Sequence, residues 1–237
     1  MKTLPIGEQD FSKLIRENCV YVDKTELIYS LAKTSGYYFL SRPRRFGKSL
    51  LISTLKELFE GNKILFKDLW IENHWDWNQT FPVIHFSFSS IDFFKDRLEI
   101  AILEKLAIFA QQFQIKLTQK TYKNQFSELI ELLHNKFKKQ VVVLIDEYDK
   151  PIIQYLEDDS IEQAKKNQLI LKNFYSVFKD LGGKLRFLLI TGVSKFSKVS
   201  LFSDLNQLSD LTLNEDYAAL TGYTHLELTQ NFDDYLV

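Results

Sequence analysis

Runs of branched and aromatic residues alternate along this chain with stretches whose apolar positions recur at helical spacing, the pattern of a parallel sheet covered by helices on both faces. Apolar runs at 37–40, 83–88, 141–145 and 185–190, with a last short one around 210–213, predict five strands. The run Val141-Val-Val-Leu-Ile145 has no polar position at all, which marks a strand buried on both faces. An N-terminal stretch carrying Phe11, Leu14 and Ile15 leads into a short helix at 25–32. Leu50, Leu51, Ile52, Leu55, Leu58 and Phe59 predict a helix directly after the first strand. Leu98, Ile102, Leu106 and Phe109 predict another over 96–116, followed by helices at 122–137 and 161–181, the last stopped by Gly182-Gly183. Residues 216–237 read as the start of a helical region. Trp70, Trp75 and Trp77 sit in an irregular connector without interleaved basic residues, so they are expected to pack rather than to stack on bases.

Composition bounds this picture without changing it. At 237 residues, 45% hydrophobic and 14% aromatic, the chain can bury one large α/β core. The expected division is an N-terminal segment packing on the core (1–36), the core itself (37–215), and the helical start (216–237). Thirty basic against thirty-one acidic residues leave a net charge of -1, which gives no global attraction to nucleic acid or to an anionic membrane. A single cysteine, Cys19, excludes an intrachain disulfide and a cysteine-built metal site. His74, His85, His134 and His225 form no metal-binding spacing. With no signal-like or membrane-spanning apolar run, the expected location is the cytoplasm.

The chemistry begins where the first strand ends, in Tyr37-Tyr-Phe-Leu-Ser-Arg-Pro-Arg-Arg-Phe-Gly-Lys-Ser-Leu50. A strand, a tight basic loop and a helix that opens with Gly47, Lys48 and Ser49 make a phosphate cradle, because helix N-terminal amides and the helix dipole both favour an anion. In such a cradle Gly47 lets the backbone come close, Lys48 reaches the terminal phosphates, and the Ser49 hydroxyl can complete a magnesium shell. The expected nucleotide-binding residues are Arg42, Pro43, Arg44, Arg45, Phe46, Gly47, Lys48, Ser49 and Leu50. Arg42 stands where the general G-x-x-x-x-G-K-S/T pattern has its first glycine.

Far along the chain the all-apolar strand ends on Asp146 and Glu147. Ligands of open parallel sheets bind beyond the carboxyl ends of the strands, so this pair is expected on the same rim as the basic loop. Asp146 would handle magnesium together with Ser49, and Glu147 would polarise an attacking water. Leu185-Arg-Phe-Leu-Leu-Ile-Thr-Gly192 is a third buried run with a polar end. It offers Thr191 and Ser194 as sensors of the terminal phosphate, with Lys195 and Lys198 close behind. In ATPases that carry a catalytic glutamate, the sensor strand lies between the loop strand and the acidic strand. That gives a five-stranded parallel sheet in the order 5-1-4-3-2, the P-loop NTPase fold, and right-handed crossovers permit it.

Four blocks carry a specific resemblance: Val22-Asp-Lys-Thr-Glu-Leu-Ile28, Phe39-Leu-Ser-Arg-Pro-Arg-Arg-Phe-Gly-Lys-Ser-Leu50, Val143-Leu-Ile-Asp-Glu-Tyr-Asp-Lys-Pro-Ile152 and Thr191-Gly-Val-Ser-Lys-Phe-Ser-Lys-Val-Ser200. Together they resemble the AAA-ATPase-like family of predicted bacterial ATPases, from about Pro5 onward. The loop without its first glycine is that family's version of Walker A, and the acidic strand its Walker B. The resemblance implies binding and hydrolysis of ATP with Mg2+, phosphate contacts from 44–49, metal handling by Ser49 and Asp146, and catalysis supported by Lys48, Glu147 and Thr191. It also implies that the Asp23-Lys24-Thr25 block lies where related ATPases touch the nucleotide base, with a turn packed on the sheet as an alternative of at least equal weight. Many members carry a C-terminal region similar to PD-(D/E)XK nucleases; the sequence stops before one could fit, and is expected to be an isolated ATPase domain, either a short protein or a fragment.

Two other readings accompany hydrolysis. One is a nucleotide-dependent switch or scaffold with little turnover, since no arginine finger is evident in the sequence and a protein partner or oligomer could be needed to supply one. The other is the ATPase module of a DNA-processing system, suggested by the family's nuclease-like extension and not by charge.

Overall fold

A computed structural model describes residues 2–94, 97–156, 160–194, 201–203 and 205–235. Its five strands are β1 (Gly36–Ser41), β2 (Val83–Ser87), β3 (Val141–Asp146), β4 (Leu185–Gly192) and β5 (Leu208–Asp210). They form one sheet in the order β2-β3-β4-β1-β5, every neighbouring pair parallel. This is the expected order read from the opposite edge.

The sheet separates two apolar layers. On one face Tyr37 and Phe39 of β1, Ile84 and Phe86 of β2, and Val141, Val143 and Ile145 of β3 pack with α4 (Leu98–Gln112), α5 (Tyr122–Phe137) and α7 (Ile161–Tyr175). On the other, Leu40, Val142, Leu144, Phe187 and Leu189 pack with α1 (Phe11–Arg16), α2 (Thr25–Ala32) and α3 (Lys48–Glu60). The short α6 (Lys150–Ile153) follows β3, and α8 (His225–Phe232) follows β5. Alternate residues of each strand supply alternate faces, as a pleat requires. A register shift at Val141/Val142 interrupts the alternation opposite Arg186, whose guanidinium donates to the carbonyls of Ala32 (2.8 Å) and Lys33 (3.0 Å). The tryptophans pack as expected: Trp70 and Trp75 lie against Tyr29, and Trp77 against Phe66.

Three boundaries differ from the sequence reading. The helix expected over 96–116 ends at Gln112, because Gln114 turns left-handed (φ +51°) and the Ile115 amide closes on the Ala110 carbonyl at 2.8 Å. Asp96, where it was expected to begin, lies outside the described residues. The helix expected over 161–181 loses its α-geometry at Tyr175 and continues as a 3-10 turn, Ser176–Lys179. The last strand is Leu208–Asp210 rather than 210–213: Leu211 still donates to the Phe39 carbonyl (2.9 Å), but the Asp210 carboxylate takes the Thr212 amide (2.9 Å) and turns the chain.

Candidate functional site

Strand pairing brings the three polar strand ends to one edge. Leu40 lies opposite Thr191 and Ser41 opposite Gly192, while Ile145 lies opposite Ile190 on the other side of β4. The Arg42 amide then bonds the Gly192 carbonyl at 3.1 Å, so the loop after β1 leaves the sheet beside the end of β4.

Within that loop Arg45 and Gly47 both take left-handed backbone, φ +62° and +83°. Gly47 is the N-cap of α3, a conformation glycine adopts without steric cost, and the first amides of α3 face the loop with no intrahelical acceptor. Pro43, Arg44, Arg45 and Phe46 are exposed, Ser49 and Leu50 half-buried. Lys48 is only 6% exposed. Its ammonium donates to the carbonyls of Arg42 (2.9 Å) and Pro43 (2.8 Å), folding back across the loop. Burial holds this lysine below its ordinary range against the opposing pull of Asp146, then Asp149 and Glu147. The cationic loop and the acidic strand end are therefore electrostatic neighbours. The guanidinium of Arg42 donates to the Thr212 (2.6 Å) and Ser41 (3.1 Å) carbonyls and ties the loop to the chain after β5.

At the end of β3, Asp146 is 4% exposed. Its Oδ1 accepts the Thr191 hydroxyl at 2.6 Å and the Glu147 amide at 3.0 Å. Glu147 has left-handed backbone (φ +53°), is half-buried, accepts the Ser89 hydroxyl and lies 3.7 Å from the Lys150 ammonium. Asp149, 2% exposed, accepts the amides of Val193 (3.1 Å) and Ser194 (2.7 Å) through one oxygen. Burial raises its carboxyl above the usual range despite those bonds. Tyr148 completes the join, with its hydroxyl on the Ser194 carbonyl (2.7 Å) and its amide on that of Thr191 (3.0 Å). Lys195 and Lys198 lie outside the described residues.

Sequence reasoning missed two groups here. Asp149 stands in the same acidic run as Asp146, so its carboxylate was readable, but its inward direction depends on the turn at Glu147. Ser89 follows β2 with nothing in the sequence to tie it to Glu147.

The Asp23-Lys24-Thr25 block is committed within the protein. Asp23 accepts the Thr25 (2.8 Å) and Trp70 (2.7 Å) amides, Thr25 accepts the Ile71 amide (3.1 Å), and Lys24 pairs with Glu227. These contacts match the packed-turn alternative. Arg97 pairs with Asp92 and Glu104 on the surface.

Among the described residues no group of three or more His, Cys, Asp or Glu side chains could hold a metal ion. The oxygen set at this edge, a hydroxyl at Ser49 and a buried carboxylate at Asp146, instead suits magnesium, which takes one or two protein oxygens and fills its shell from phosphate and water.

The family model described as a predicted AAA-ATPase matches residues 5–202. An uncharacterized protein in the vnfD 5′ region of Azotobacter chroococcum mcd 1 is 46% identical over 235 residues, which is 98% of this chain and 45% of that protein. The chain thus spans less than half the length of this relative.

Proposed function

The chain belongs to the AAA-ATPase-like family of predicted ATPases, and from that premise we propose that it has the P-loop NTPase fold, binds ATP with Mg2+ and hydrolyses it to ADP and phosphate. One observation carries the reading: Lys48, buried in a glycine-capped basic loop, lies in the field of Asp146, Asp149 and Glu147 at a shared sheet edge.

In this reading the amides around Gly47 and the N-terminus of α3 receive the phosphates. The Lys48 ammonium exchanges its two loop carbonyls for phosphate oxygens, and Arg44 and Arg45, both exposed, add charge. Ser49 and Asp146 would hold magnesium, which when bound neutralises charge on the β- and γ-phosphate oxygens. Glu147 accepts a proton from water as the water oxygen bonds the γ-phosphorus and the bridging oxygen leaves with ADP. Thr191 holds Asp146 in place, and would sense the terminal phosphate through that carboxylate. The single cysteine and the absence, among the described residues, of a helix long and apolar enough to cross a membrane are compatible with a cytoplasmic setting.

A second reading, a nucleotide-dependent switch with slow turnover, is favoured by the arginines. Arg42 and Arg186 donate to carbonyls, Arg97 pairs with surface carboxylates and Arg16 sits at the end of α1, so in this reading the loop's own Arg44 and Arg45 or a partner would stabilise the transition state. The DNA-processing reading rests on family resemblance alone. Phosphate release by the purified chain, with and without Mg2+, tests the proposal. Rapid Mg2+-dependent release supports hydrolysis; binding without release supports the switch.

A further inference from the structure

Residues 220–227 lie beyond the 5–202 matched by the family model, yet Gly222 within them lies against the basic loop. Leu220, 2% exposed, enters the core layer that holds Leu51 and Leu55 of α3, so the segment is anchored at its start. Gly222 follows with φ +75°, and its amide nitrogen lies 3.7 Å from where a Cβ on Gly47 would stand. The fit to Phe46 is tighter: a Cβ on Gly222 would come within 2.6 Å of the Phe46 ring. A ring that is 43% exposed at the loop apex thus has a glycine backbone as its seat. The other end is held by the Lys24–Glu227 ion pair, whose side chains are only 10% and 22% exposed. Glu227 also accepts the Thr224 amide (2.7 Å) while the Thr224 hydroxyl accepts the Glu227 amide (3.2 Å), the reciprocal cap of α8. One carboxylate both starts this helix and ties it to the turn before α2.

We infer that residues 220–227 form a strap that positions the phosphate loop, with Gly222 as the seat of Phe46 and the Lys24–Glu227 ion pair as its latch. Loosening the strap frees the loop to leave its cradle shape. Where the loop binds nucleotide, which rests on the reading above, loosening also lowers affinity, because binding then has to restore the shape.

Glu227→Gln separates the latch from the cap, since glutamine serves the same capping position without the charge. Arg44 and Arg45 are exposed, so trypsin cleavage at the loop reads its opening with no nucleotide present. Cleavage there should be at least about fivefold faster in Glu227→Gln and in Gly222→Ala, with Lys24→Arg behaving as the parent and the melting temperature of Glu227→Gln close to the parent's. ATP affinity should fall by a similar factor. Unchanged loop cleavage in both variants overturns the strap, even if the parent binds ATP. Faster cleavage in a parent background that binds no nucleotide leaves the strap standing and removes the nucleotide reading.

Discussion

The Thr191 hydroxyl donates to Asp146 Oδ1 at 2.6 Å, joining the ends of two adjacent strands inside the molecule. Both residues are almost fully buried, so this bond fixes the orientation of the carboxylate proposed to handle magnesium. Thr191→Val keeps the shape but leaves Asp146 short of a buried donor, which costs about 1–3 kcal/mol. Chemical denaturation should show that loss, and Mg2+-dependent ATP affinity should fall with it, while Thr191→Ser stays near the parent in both.

Glu147 is the proposed base. Glu147→Gln should bind ATP as the parent does and turn it over about 100- to 10,000-fold more slowly, measured by single-turnover phosphate release. Hydrolysis at the parent rate would assign the base elsewhere. Ser89→Ala removes the hydroxyl that Glu147 accepts from and should lower turnover more than binding, since that contact aims the carboxylate.

Lys48 gives a pH signature with two opposite signs. Burial lowers its folded-state value, so between that value and the ordinary lysine range the unfolded chain holds the extra proton, and stability rises with pH across this window. Nucleotide phosphates favour the protonated ammonium, so ATP affinity falls with pH across the same window. Melting curves and titrations over an alkaline series check both slopes, and Lys48→Arg, which stays charged, should flatten the affinity profile.

The Lys24–Glu227 latch has its own acid dependence. Burial pushes the Glu227 carboxyl up, but the Lys24 and Thr224 contacts prevail and hold it below the usual range. Its contribution is fully present above the ordinary carboxylate value and is lost as pH falls through the lowered one. Loop cleavage by an acid-active protease should therefore accelerate on acidification in the parent and change less in Glu227→Gln.

Much of the fold was legible because its signals are local. The all-apolar, mostly β-branched run of β3 reads as a strand buried on both faces, and the helices at 25–32 and 122–137 appear where their periodicity put them. The strand order followed from a general rule linking the sensor strand to the acidic one. What stayed hidden depended on contacts between distant segments. Arg42 reads from the sequence as one of the nucleotide-binding residues, and its bond to the Thr212 carbonyl, 170 residues away, has no signal in the loop sequence. The Asp23-Lys24-Thr25 block reads either as a base contact or as a packed turn, and its partners Trp70, Ile71 and Glu227 are equally non-local. The seat of Phe46 on Gly222 left no trace in either sequence neighbourhood.

Calorimetric titration of ATP into the parent, Lys48→Ala and Asp146→Asn, each with and without Mg2+, tests the central claim most directly. The account predicts Mg2+-dependent binding to the parent, a loss of at least about tenfold in affinity for Lys48→Ala, and loss of the Mg2+ enhancement for Asp146→Asn. Equal ATP binding by all three proteins, indifferent to Mg2+, would contradict it.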